Sequence, residues 1–124
     1  MKLMIGGAYQ GKREFVISAF DLTEADIFTC TGTNVDFSAR CIDKIENFTL
    51  ACVKARVDPV AVFRDNREKW VGSILICQDI FCGVVPLGAD MRAWRNTTGQ
   101  LCQYLSGRAD SVRRIFCGLE QKLK

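Results

Sequence analysis

The chain has 124 residues, 48% of them hydrophobic and 25% charged, an ordinary globular composition with room for one core. Its net charge of +3 comes from 17 basic and 14 acidic residues, with no block of like charge and no Lys/Arg stripe interleaved with aromatics, which argues against nucleic acid as a partner. Seven cysteines make an odd number, no two have C-x-x-C spacing, and histidine is absent. A disulfide framework and a zinc or iron–sulfur site are therefore not expected, and the thiols read as small buried side chains in a reducing compartment.

The opening MKLMIGG has neither the apolar run nor the cleavage site of a signal peptide, and no apolar run approaches the length of a membrane span. The expectation is a cytoplasmic protein without a membrane partner. Lys2 to Ile5 is a short apolar run halted by Gly6-Gly7, the pattern of a buried strand ending in a glycine turn. From Lys12 to Phe20 a helix is expected, with Phe15, Val16 and Ala19 at helical spacing.

A second strand is expected at Asp26 to Thr31, followed by a polar loop at Gly32 to Asp36. The apolar stretch around Cys41 to Ile45 supplies a third strand and runs into the helical spacing of Ile45, Phe48, Ala51, Cys52 and Ala55. Asp58-Pro59 offers an N-cap and a first-turn proline for another helix, with Trp70 at its far end and Gly72 as its stop. Ser73 to Ile80 reads as the central buried strand, and the loop FCGVVPLG follows, with Cys77 and Cys82 flanking its start. Ala89 to Gly107 is an amphipathic helix carrying Met91, Trp94, Leu101, Cys102 and Leu105 on one side, and Ser111 to Cys117 is the last strand. Strands alternating with helices imply right-handed crossovers and a parallel sheet within one domain.

Gly6-Gly7-Ala8-Tyr9-Gln10-Gly11-Lys12 satisfies G-x-x-x-x-G-K where its chemistry requires it, after a strand and at the start of a helix. Glycines let successive backbone N–H groups converge on phosphate oxygens. The helix N-terminus adds partial positive charge, and Lys12 reaches the outer phosphates. The fold class expected is therefore α/β, a P-loop NTPase-like three-layer domain with a mostly parallel sheet of about five strands, binding ATP or GTP. Arg13 stands where Ser or Thr would place a hydroxyl on Mg2+. A guanidinium does not ligate a metal, but it can pair with phosphate.

Two acids fall at or just past the ends of expected buried strands, where an open parallel sheet delivers its ligand site: Asp43 and Asp79. Each is a candidate for holding Mg2+ or orienting a hydroxyl. The alternatives are a helix N-cap for Asp43 and a turn residue for Asp79. Arg92 and Arg95 are either solvated or phosphate-facing.

The GGAYQGK loop resembles the GG-x-x-x-GKS opening of the adenosylcobinamide kinase/adenosylcobinamide-phosphate guanylyltransferase family of cobalamin biosynthesis. The stretch from Ile76 onward is similar to that family's V-x-N-E-V-G-x-G-I-V-P, R-x-(F/W)-R-(D/E)-x-x-G and A-D-x-V motifs. Gly83-Val84-Val85-Pro86 matches G-I-V-P, with Gln78 and Asp79 in place of the asparagine and glutamate. Arg92, Trp94, Arg95 and Gly99 match the second motif, and Ala109, Asp110 and Val112 the third.

The resemblance implies phosphorylation of adenosylcobinamide by a nucleoside triphosphate, a corrinoid partner and a homo-oligomer, a trimer in the family. It gives Lys12 and Asp79 catalytic roles and makes Asp43, in Asp43-Lys44-Ile45, the counterpart of a Walker B aspartate. The family's guanylylated histidine has no counterpart, because the segment that carries it is reduced to Gly32 to Arg40. Guanylyl transfer through a histidine is therefore not expected.

Overall fold

A computed structural model of the chain describes residues 1–81 and 88–124. Cys82 and the Gly83-Val84-Val85-Pro86 motif lie outside the described residues. Six strands form one sheet: β1 (Lys2–Gly6), β2 (Ile27–Thr29), β3 (Cys41–Asp43), β4 (Ile74–Gln78), β5 (Ser111–Phe116) and β6 (Leu119–Lys122). Their order is β2-β3-β4-β1-β5-β6, and every neighbouring pair is parallel except β5 with β6. The helices are α1 (Lys12–Phe20), α2 (Ile45–Ala55), α3 (Pro59–Asp65), α4 (Arg67–Trp70) and α5 (Ala89–Arg108).

The central strands β1, β3 and β4 are buried on both faces, and alternate residues of each strand go to opposite sides. Leu3, Leu75, Cys77, Ile42 and Val112 pack with Ile45, Phe48 and Cys52 of α2, Phe63 of α3 and Leu101 and Leu105 of α5. Met4, Cys41, Ile74, Ile76 and Ile115 pack on the other face with Val16 of α1. Three layers result, with α1 on one side and α2, α3 and α5 on the other. The first crossover carries the chain from β1 out to the far edge, and the later ones carry it back. The connections leaving the neighbouring strands β1 and β4 therefore lie on opposite faces, which opens a crevice at their carboxyl ends.

β2 to β5 are shorter than their apolar patterns suggest, β1 runs one residue further to Gly6, and the strands among the described residues number six rather than about five. The sixth, β6, is joined to β5 by a two-residue turn in which Cys117 and Gly118 have φ of 52° and 74°. Two positive φ values in succession match the right-handed twist of a hairpin. The helix expected from Pro59 to Trp70 is broken at Asn66, whose backbone (φ −112°, ψ 18°) leaves the helical region. The break offers the Phe63 carbonyl to the Trp70 indole N–H at 2.6 Å, and the Asn66 amide bonds back to Val62. The Asp58 cap is as expected: its side chain accepts from the Val60 N–H, with Pro59 at the first helical position.

Candidate functional site

The chain leaves β1 at Gly6 and enters α1 at Lys12, so the five residues between them form a loop over the crevice. Two glycines are fixed there by geometry. A Cβ on Gly6 would lie 2.5 Å from the Ile115 carbonyl oxygen of β5, and Gly11 begins α1 with φ of 84°. Tyr9 also adopts positive φ and projects its ring into solvent. The loop is pinned at Gln10, whose carbonyl accepts the Gly118 N–H at 2.9 Å and whose side chain accepts the Cys117 N–H at 2.7 Å. The β5–β6 turn thus holds the outer side of the loop. Lys12 reaches back across it and donates to the Gly7 carbonyl at 2.6 Å.

Beside the loop is a cleft of about 490 Å³ lined by Ala8, Tyr9, Gly11, Lys12 and Arg13, by Asp43, Lys44 and Glu46, and by Gln78. The structure therefore brings Lys12, Arg13 and Asp43 together. Asp43 ends β3 in the interior and is not the cap of α2, a position taken by Lys44. Its Oδ1 accepts the Lys44 N–H at 2.7 Å, and its Oδ2 accepts from Arg13 Nη1 at 2.9 Å. The same Arg13 nitrogen lies 3.3 Å from the Thr29 hydroxyl, and Nη2 bonds Glu24. Burial alone would lower the pKa of this guanidinium. Its hydrogen bonds to Asp43 and Glu24 outweigh that and raise it.

Asp79 follows β4 directly. Its N–H donates to the Gly6 carbonyl at 2.7 Å and its Oδ1 accepts the Phe81 N–H at 3.0 Å, the geometry of a turn residue. It is not among the described residues that line the cleft. Arg95 donates to the Phe81 carbonyl from the neighbouring α5, and Arg92 is exposed.

Glu46 is the site residue that the sequence reading missed. It is buried in the first turn of α2, and its Oε1 accepts the Gln78 N–H at 2.9 Å, joining α2 to the end of the central strand. Its carbonyl accepts the Trp94 indole N–H at 2.8 Å. The one signal was an acid at the start of the expected helix, three residues after Asp43, with nothing in the sequence to point to its partner.

As a cation site the donor set is poor. Both oxygens of Asp43 are engaged, one of them by a cation, and no group of three or more acidic, cysteine or histidine side chains that could hold a metal occurs among the described residues. As an anion site it is good, because a helix N-terminus, a lysine and a glycine-bounded loop converge there. No protein-family model matches the chain, and no curated protein matches it. Among the described residues no helix is long and apolar enough to cross a membrane.

Proposed function

We propose that this chain is a P-loop nucleotide-binding protein similar to the adenosylcobinamide kinases, holding the triphosphate of ATP or GTP on the loop from Gly6 to Lys12. The observation that carries this reading is the position of the loop: between β1 and the N-terminus of α1, over the crevice where the sheet's connections diverge, with Lys12 at its base. Phosphate oxygens would replace the Gly7 carbonyl as the partner of the Lys12 ammonium, a charge-assisted exchange that favours binding. In the kinase form of this reading the acceptor is the hydroxyl of adenosylcobinamide, Lys12 neutralises charge on the transferred group, and Asp43, the candidate acid that lines the cleft, orients the attacking hydroxyl.

One observation favours a second reading, a nucleotide- or corrinoid-binding relative without turnover. The Arg13 guanidinium lies against Asp43, where a magnesium-dependent enzyme of this type has a hydroxyl and a metal ion. The protein's own groups then supply binding and charge neutralisation, and no step is assigned to a metal.

Titration with ATP and with GTP, each with and without magnesium, tests the proposal. Binding that does not require magnesium, and that weakens about tenfold or more in Lys12→Ala, is expected. Failure to bind either nucleotide overturns the site. Product analysis with adenosylcobinamide then separates the two readings, since phosphorylated corrinoid appears only if the chain is a kinase.

A further inference from the structure

Among the described residues β6 is the outermost strand of its edge, and all four of its residues are exposed. The two-residue turn fixes which backbone groups face outward. Phe116 and Leu119 close the hairpin as a hydrogen-bonded pair, so Leu119, Gln121 and Leu123 turn their N–H and C=O groups inward to β5. The Leu123 N–H to Val112 carbonyl bond at 2.8 Å fits this parity. Glu120 and Lys122 therefore present theirs to solvent.

The side chains of residues 119–123, Leu-Glu-Gln-Lys-Leu, are self-complementary about Gln121, with leucine at both ends and opposite charges at 120 and 122. The side chain of Leu119 is 72% exposed and that of Leu123 56% exposed, and the neighbouring Phe116 is 55% exposed. Residues 119, 121 and 123 share a face with Phe116, while Glu120 and Lys122 share the opposite face. An open edge with exposed leucines at both of its ends and no proline or bulge is a template for strand addition.

We propose that two copies of this chain pair antiparallel through β6 about a two-fold axis at Gln121, joining their sheets into one. In that register Glu120 lies opposite Lys122 of the second copy and Lys122 opposite its Glu120. These are also the residues whose backbone groups face outward, so the pairing makes hydrogen bonds and charge contacts at the same positions. On the other face Leu119 meets Leu123 of the second copy, and each Phe116 flanks that contact. A shift of one residue in either direction would place Glu120 and Lys122 opposite uncharged partners and misalign the outward backbone groups. The interface is isologous and closes at two copies, where the family resemblance implies three.

Sedimentation or light scattering over a concentration series, with a charge-swap set, tests this. Wild type is expected to reach twice the chain mass. Lys122→Glu puts four carboxylates along the seam, while Arg113, which already pairs with Glu120 at 2.8 Å, also faces residue 122 across β5 and β6 and can pair with either acid, so the monomer fold is kept. This variant is expected to weaken the dimer about tenfold or more. The double variant Glu120→Lys/Lys122→Glu is expected to restore it.

Gln121→Cys offers a readout that does not depend on these charges. The paired residues on the axis approach within disulfide range, so mild oxidation should yield a covalent dimer, while Lys54→Cys on α2 should not. A chain that stays monomeric throughout, a three-fold assembly, or a dimer indifferent to Lys122→Glu would overturn the proposal.

Discussion

Arg13 of α1 and Asp43 of β3 form an ion pair 2.9 Å long at the mouth of the cleft, with the carboxylate 6% exposed and the guanidinium 31% exposed. Removing the arginine leaves a buried carboxylate held by the Lys44 N–H alone among the hydrogen bonds described above. Arg13→Ala is expected to destabilise the fold by about 1–3 kcal/mol, less than for a fully buried pair because water reaches the guanidinium. Arg13→Ser supplies a hydroxyl beside a released Asp43. Its nucleotide affinity should become magnesium-dependent, while that of the wild type is expected not to change with magnesium. Calorimetric titration with and without the metal checks this, and equal dependence in both proteins would refute it.

Gln10 connects the loop between β1 and α1 to the β5–β6 turn through its side chain and its carbonyl. Gln10→Ala keeps the carbonyl bond and removes the side-chain one. The Cys117 N–H it releases is exposed and can bond water, so the cost to stability is expected to be about 0.5–1 kcal/mol. The larger effect should be on a loop that must be ordered before it can bind. Nucleotide affinity is expected to fall several-fold while the melting temperature moves by only a few degrees. A melting shift with unchanged affinity would show that the turn does not organise the loop.

Gly6 has its β5 neighbour too close for any side chain, since a Cβ there meets the Ile115 carbonyl at 2.5 Å. That carbonyl belongs to a buried strand and has little freedom to move. Gly6→Ala should therefore push β1 from β5 and cost about 1–3 kcal/mol, visible as a lowered melting temperature. Gly7→Ala is the control, because its Cβ would meet only the Gln10 side chain at 3.5 Å. Equal melting temperatures for the two variants would contradict the packing described.

The parallel core was legible because buried strands read as apolar runs and helices as 3.6-residue periods, as at Leu3 to Ile5 and at Ile45 to Cys52. Asp58-Pro59 announced its helix through local chemistry alone. β6 was not legible, because Leu119 to Lys122 is exposed on both faces and carries no alternating apolar signal. Its only cue was Cys117-Gly118, a turn that lacks the Asn or Asp usual there.

At the site, the loop and Lys12 could be placed from spacing. The pairing of Arg13 with Asp43 could not, because it depends on β3 lying two strands away from β1 across β4. Glu46 was hidden for a related reason. Its role is set by the end of β4, which sequence separation gives no means of bringing near it.

The buried cysteines give the fold a defined alkaline limit. Burial, with the nearby Asp43 charge adding to it, pushes the Cys30 and Cys41 thiols from 9.0 up to about 12, and burial pushes Cys52 to about 11. Cys77 and Cys102, in contact at 3.8 Å, shift in opposite directions through that contact, Cys77 up and Cys102 down, so Cys30, Cys41 and Cys52 carry the effect. Above pH 9 the unfolded chain releases these protons while the folded chain keeps them. The contribution to stability is therefore whole below pH 9 and declines as the pH rises through 11 to 12. Each thiol should contribute a slope of order 1 kcal/mol per pH unit in that window. Urea unfolding between pH 8 and 11 is expected to show the decline. Cys52→Ser, which has no thiol to ionise, should show a shallower one even if its stability at pH 8 is lower. A midpoint that stays level to pH 11, or an unchanged slope in Cys52→Ser, would show that these thiols do not set the limit.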